Sequence, residues 1–412
     1  MAAADTAAQL TAFTGRGAGT DAERRAAQWL ATELRRGGRR SRLETFWCRP
    51  NWALAHAWHC LAAIAGSLVM ASHPWPGGAI VLGSLLSVLA DGLAGQSVGR
   101  RLTPERASQN VVSPAPPSRS ADSPPAVRLI VTANYDTGRA GLAYRDALRA
   151  PAAALRRLAG NGALAPGWLG WLVIELVWLL AIAALRLSGA GGTGVGILQL
   201  IPTAALVVAL ALLLDLAAAP YGPGAGDNAA GAAVAVALAR ALDAASPRNL
   251  DVEVVLQGAG DGAMIGLRRY LRGHRQEVRR EGTVVLGIAA CGAGRPCWWV
   301  SDGSLIPVRY LGRLRAMALR VAARSATGAA PHRGRGVSPA LPARLRGLPA
   351  LTVGCVDSSG RVPRSHQRTD VPEALDGGAV DAALQFALTL VDELDAELSG
   401  VSGRSGAAAA TA

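Results

Sequence analysis

The residues able to do chemistry stand at four widely separated places. Asn134 and Asp136 close the apolar run Val127–Ala133. Asp227 and Asn228 stand in the Gly/Pro-rich turn YGPGAGDN, and an Ala/Val-rich helix follows at once. Asp261 lies between glycines in Gly258-Ala259-Gly260-Asp261-Gly262, after a second apolar run. His366 and Asp370 come near the C-terminus. Carboxylates and an imidazole are groups that can move a proton or hold a metal ion. Each residue also has an ordinary structural use. An Asp ahead of a helix is an N-cap, an Asp between glycines belongs to a turn, and a loop His366 can bond Asp370.

In this order the pieces resemble the M28 family of zinc aminopeptidases. That pattern is His-x-Asp after a strand, then Gly-x-x-Asp-Asn-x-x-Gly opening a helix. Glu-Glu and a further Asp follow strands, and His-x-x-x-Asp comes last. Here the matching stretches are Asn134-Tyr135-Asp136, Gly224 to Gly231, Gly260-Asp261 and His366 to Asp370. The resemblance covers roughly residues 10–50, 105–150 and 220–397. It implies an α/β fold, a mixed-sheet zinc-peptidase-like (phosphorylase/hydrolase-like) sandwich. It also implies roles: Asp227 as the carboxylate bridging two metals, Asp261 and His366 as ligands of the second metal, and Asp136 as the support of the first metal's histidine. Several positions depart from the pattern. The histidine is Asn134, the general-base Glu is Gly260, and the first metal's other Asp falls near Ala289, with Cys291 close by. One ligand of three survives for the first ion and three for the second. Loss of a general base costs about 10²–10⁴ in rate.

Half the residues are hydrophobic, and the excess is concentrated in long runs, which implies a membrane protein. The net charge is +13 and every basic residue is Arg. A basic surface beside apolar spans suits anionic lipid; no nucleic-acid motif is present. The five cysteines, Cys48, Cys60, Cys291, Cys297 and Cys355, form no CxxC pair and read as reduced thiols. Cys291 is open to two readings, a replacement ligand or a buried structural thiol. Trp298-Trp299 suits either a side-chain pocket or the core.

Four apolar runs, about 52–72, 78–97, 167–186 and 195–219, are each near the ~20 residues that cross a bilayer. Trp52, Trp58, Trp75, Trp168 and Trp171 sit toward their ends, as interfacial aromatics do. Each pair leaves and returns on one side, so a domain split around them can reassemble. The second pair accounts for the 91 residues between Asp136 and Asp227 (227 − 136), a step that is short in secreted members of the family. Arg39, Arg40, Arg100, Arg101, Arg145, Arg149, Arg156 and Arg157 flank the spans on the domain side. Only His73 and Arg186 mark the far turns. The positive-inside rule then places the domain in the cytoplasm of a multi-pass cell-membrane protein. Glu175 and Asp215 fall within the second pair, and an intramembrane carboxylate is a functional candidate.

Around the spans the chain alternates helix and strand, which predicts a sheet with helices on both faces. Residues 1–20 read as a loose tail, with no signal peptide. Residues 21–36 read as an amphipathic helix capped by Thr20 or Asp21, with Ala26, Leu30 and Leu34 inward and Arg and Glu outward. The divisions are 1–50 (first part of the peptidase-like domain), 51–98 (first hairpin), 99–160 (second part), 161–219 (second hairpin), 220–398 (third part) and 399–412 (disordered tail). Residues 327–346 read as a basic loop. The expected function is a catalytically impaired peptidase fold that binds a peptide or protein partner beside the lipid bilayer, without metal. The alternative is a hydrolase with one zinc on Asp227, Asp261 and His366, its water activated by the metal or by Asp136. A third class is a transporter using Glu175.

Overall fold

The computed structural model describes residues 2–115, 127–151 and 166–409, with side chains to 399. The sequence reads as a loop at 115–125 and a basic helix near 143–158; residues 116–125 of the first and 152–158 of the second lie outside the described residues. One nine-stranded mixed sheet runs in the order β1-β2-β4-β3-β5-β9-β6-β7, with β8 beside β6. Its centre is parallel: β3 (Val127–Asn134) lies between β4 (Leu250–Gln257) and β5 (Thr283–Ile288), and β9 (Ala350–Val356) follows β5. The edges are antiparallel, with β1 (Arg42–Cys48) and β2 (Arg106–Ser113) on one side and β6 (Arg295–Asp302) and β7 (Val308–Arg309) on the other. The last six residues of β3 and of β4 are all buried, so both faces of the sheet are covered. Continuous apolar runs, rather than alternation, are the mark of such strands. The fold class read from the sequence therefore holds.

Register sets the site. Asn134 pairs with Gln257 at the ends of β3 and β4. The residues just beyond both strands therefore emerge side by side at the carboxyl edge, where open α/β sheets hold their ligands.

Several local readings need correction. Residues 1–20 are not a loose tail: Ala3–Thr11 is a helix whose Ala3, Ala7 and Leu10 enter the core, and Arg16 is completely buried. On the Asp21–Arg36 helix, Glu23 and Glu33 are buried rather than outward. Glu33 pairs with Arg240 at 3.0 Å, and Glu23 is taken up below. Strands β6, β7 and β8 (Ala330–Arg333) interrupt stretches that lack clear periodicity. The helix expected from Ile306 starts at Gly312, because Val308–Arg309 pairs with β6. Part of the 327–346 loop is β8 and the short helix Leu341–Leu345. The last helix runs Gly377–Ala409, past the expected start of a disordered tail at residue 399. Trp298 and Trp299 are core residues, 2% and 5% exposed, and Trp298 stacks on Phe386.

Among the described residues, five helices are long and apolar enough to cross a membrane. One, Ala225–Ala245, is 67% buried within the α/β core, so its apolarity is that of a central helix. The other four, Trp52–Met70, Pro74–Ala94, Trp168–Leu187 and Thr193–Ala218, pack as two hairpins around a core of their own. Gly66 and Gly77 let the first hairpin close tightly. A Cβ on Gly77 would meet the Met70 nitrogen at 2.4 Å, the close approach that small residues give membrane helices. The outer faces leave Leu68, Trp75, Leu86, Trp171, Leu200 and Val208 more than half exposed. So continuous an apolar surface in water is a liability, and in lipid it is solvated. The protein should stay in the membrane pellet through an alkaline carbonate wash and enter solution only with detergent; recovery in the wash supernatant would contradict the reading of the hairpins.

Candidate metal and peptide site

Two buried carboxylates organise the rim. Asp136 accepts from the backbone N–H groups of Gly260 at 2.9 Å and Asp261 at 3.0 Å. Asp370 accepts from those of Gly226 at 2.8 Å and Asp227 at 2.9 Å. Each carboxylate thus holds the turn that carries one candidate ligand. Burial pushes both carboxyls up to about 6, against the pull of those same N–H donors. Arg16 lies between them. Its Nε donates to Tyr135 O at 2.9 Å, one Nη to Pro223 O at 2.6 Å, and the other to Gly224 O. Burial lowers its pKa to about 10, while the charges of Asp136, Asp370 and Asp227 oppose that fall.

The three predicted donors converge. His366 Nε2 stands 3.5 Å from Asp261 Oδ1 and 3.8 Å from Asp227 Oδ2. The ring stacks on Tyr144 at 4.1 Å between centroids and closes over Gly138, where a Cβ would lie 2.1 Å from it. Asp370 is occupied by backbone amides, so the expected His366–Asp370 bond is not made. Asp227 also accepts from Ser365 Oγ at 2.5 Å, and Asp261 from Trp52 Nε1 at 3.2 Å. Trp52 is the first residue of the first hairpin, so that apolar hairpin touches the site directly.

The first metal's position is filled differently. Asn228 Nδ2 donates to Asn134 O at 2.8 Å and to Asn134 Oδ1 at 2.9 Å, and Asn134 Nδ2 donates to Asp136 at 3.4 Å. A Cβ on Gly260 would sit 2.2 Å from Asn134 Cβ and 2.9 Å from Asp136 Oδ1. Cys291 is fully buried and donates to Ala289 O at 3.1 Å. A hydrogen bond with Cys355, together with burial, pushes its thiol well above the usual range, which suits a structural thiol and not a ligand. Asp215 accepts from the Leu142 N–H at 2.6 Å and so ties the second hairpin to the domain.

The residues fit a zinc ion only in part. Three donors meet, but both carboxylates already accept side-chain hydrogen bonds. A ligating imidazole usually donates its second nitrogen to a partner, whereas His366 Nδ1 is buried without one. In this geometry no group of three or more His, Cys, Asp or Glu side chains among the described residues is set to hold a metal ion.

The comparisons with known proteins agree with the fold. Residues 213–391 match the family model for peptidase family M28. Among solved structures, a zinc aminopeptidase from Bacillus subtilis aligns at TM-score 0.54 and 13% identity, covering 95% of this chain and 94% of that one. A glutaminyl cyclase from Tannerella forsythia aligns at 0.54 and 14%, covering 94% and 96%. A Zn-dependent exopeptidase from Parabacteroides distasonis aligns at 0.52 and 12%, covering 95% and 96%. No curated protein matches the sequence. The chain is M28-like. The matched stretch of this M28-like chain contains Asp227, Gly260, Asp261 and His366, while Asn134 and Asp136 lie ahead of it.

Sequence reasoning missed two residues of the M28-like site. One is Arg16. Its only signal is a lone Arg between glycines, and Gly17 is forced because a Cβ would meet the Tyr221 ring at 2.0 Å. The other is Glu23. It reaches back to the Gly19 N–H at 2.7 Å while Thr20 Oγ accepts from Glu23 N at 3.1 Å, a reciprocal cap. Its second oxygen accepts from Ser108 Oγ at 2.8 Å and from the Ala259 N–H at 2.9 Å, under the turn of Asp261.

Arg16→Ala should cost about 3–5 kcal/mol, because it strands carbonyls and carboxylates in the interior; a denaturant midpoint unchanged from wild type would refute the role given to it. Glu23 yields a pH test. Burial, then the charge of Asp136, raises its carboxyl from 4.5 to about 8. A raised folded-state pKa gives stability that is complete below the unfolded value and fades as pH climbs through the folded one. Melting temperature should therefore fall between about pH 5 and 8, and Glu23→Gln should flatten that slope.

Proposed function

We propose that this chain is a membrane-anchored M28-like protein that is catalytically impaired and binds a peptide or protein partner at the carboxyl edge of its sheet. The observation that carries the reading is the contact between Gly260 and Asn134. A general base at residue 260 has no room, because Asn134 fills the space its Cβ would occupy. The neutral amide of Asn228 donates to that of Asn134 where an ion would need an imidazole, and Asn228 Oδ1 stays buried without a partner among the described residues. What is left is a pair of partly exposed carboxylates, Asp227 and Asp261, beside an imidazole. That surface suits the ammonium of a peptide N-terminus, and Trp52 holds it against the bilayer. The arginines flanking the hairpins support a cytoplasmic side for this domain.

A second reading keeps one zinc on Asp227, Asp261 and His366, and the convergence of these three favours it. When bound, the ion would polarise a carbonyl and lower the pKa of a water. Asp136 would then continue to fix the Asp261 backbone rather than take a proton, since both its oxygens accept backbone hydrogen bonds. Elemental analysis of purified protein separates the two readings. The proposal expects far less than one zinc per chain, and no peptidase activity from Gly260→Glu alone, which should also lower the melting temperature. One zinc per chain, lost in His366→Ala, would establish the alternative. A transport role for Glu175 rests on its Oε2, buried without a partner. It predicts loss of function in Glu175→Gln but not in Asp227→Ala.

A further inference from the structure

A cavity of 1170 Å³ opens between the hairpins and the domain. Small-molecule clefts usually span ~300–1,000 Å³, so this one exceeds a typical substrate pocket. Its two ends differ in chemistry. The end within the bundle is lined mainly by Trp168, Trp171, Leu172, Leu206, Leu213 and Leu216. The domain end carries Arg149, Arg315, Arg333, Arg335 and Arg361, and among the described residues the one carboxylate in the lining is Glu175.

The levels of these groups are fixed. The Trp168–Leu187 helix starts against Arg335, since a Cβ on Gly167 would meet Arg335 O at 2.6 Å. Glu175 is eight residues beyond Gly167, about 12 Å further along the helix, and so sits on the apolar side, away from the arginines. On the other wall the lining runs from Leu216 to Ala205. Eleven helical residues give a depth of about 16 Å, close to half of the ~30 Å hydrocarbon layer.

Arg361 has one Nη buried without a hydrogen-bond partner, and its nearest carboxylate contacts are long, 3.5 Å to Asp357 and 4.0 Å to Asp146. Among the described residues, Arg149 donates to the carbonyls of Ser365 and Val362. Guanidinium groups with spare donors, set above an apolar slot one leaflet deep, match a single class of ligand. We infer that the cavity binds an anionic lipid, its headgroup on the arginines and an acyl chain between the Trp168–Leu187 and Thr193–Ala218 helices. Tyr144 and Trp52 line the same cavity and touch His366 and Asp261, so a seated lipid abuts the carboxylate–imidazole site. The inference rests on the hairpins lying in lipid, and it is independent of whether the site binds metal.

Native mass spectrometry of the full-length protein released from detergent tests it. The probes are phosphatidylglycerol and phosphatidylcholine with the same chains, and inorganic phosphate as the free anion. Phosphatidylglycerol should be retained about tenfold better than phosphatidylcholine, the worth of one charge-assisted contact, and millimolar phosphate should not displace it. The Arg149→Ala, Arg361→Ala double variant should bring the preference below about twofold. Leu213→Trp, which fills the slot without touching the arginines, should reduce retention of both lipids. Equal retention of the two lipids by wild type overturns the inference, and displacement by phosphate reduces the site to one for anions alone. Unchanged retention in Leu213→Trp also overturns it, even where the double variant fails to fold. A protein soluble without detergent would fail the membrane reading instead, a result distinct from all of these.

Discussion

Everything at the rim of this sheet depends on aspartates that bind backbone, not ligand. Asp136 and Asp370 each take a pair of amide hydrogens from a glycine-rich turn. Such turns have no side chains of their own to fix them. Arg16, driven into the interior, draws the segments after β3 and before Asp227 together through their carbonyl oxygens. Three charges in one dry volume would repel or neutralise if unpaired; here each is met by dipoles on several sides. This framework is present although Asn134 and Gly260 stand where the M28 pattern has a histidine and a glutamate. That is why the fold remains M28-like while its chemistry does not follow automatically.

The apolar hairpins are joined to the framework and not merely tethered beside it. Trp52 donates to Asp261, Asp215 accepts from Leu142, and Gly167 lies against the backbone of Ser304 and Arg335. A hydrogen bond to a candidate ligand from the first residue of a hairpin makes the hairpin part of the site. Loop anchoring alone would have left a flexible gap between the two bodies.

Much of this was legible in the chain itself. Val127–Ala133 and Leu250–Gln257 are rich in Val and Leu, which reads as strand, and register then delivers Asn134 and Gly258 to one edge. Asp227, Asp261 and His366 were legible through the resemblance to the M28 pattern. What stayed hidden was set by long-range contact. Glu23 looks like an ordinary first-turn acid until Ser108 and Ala259 meet it from distant parts of the chain. Arg16 looks like a tail residue until two loops close over it. The strands β6 to β8 carry no clean alternation, because Cys297, Trp298 and Trp299 are buried in succession. The tightness at Gly260 is a matter of three dimensions, since only the fold reveals that Asn134 already occupies that space.

The second hairpin is threaded between the two halves of the rim, after Asp136 and before Asp227. During synthesis, the strand that supplies one half is made well before the turn that supplies the other. The intervening chain must first fold back on itself. A lone helix of the pair crossing a bilayer would leave the two halves on opposite sides, unable to meet, so assembly of the rim requires the two helices to cross together.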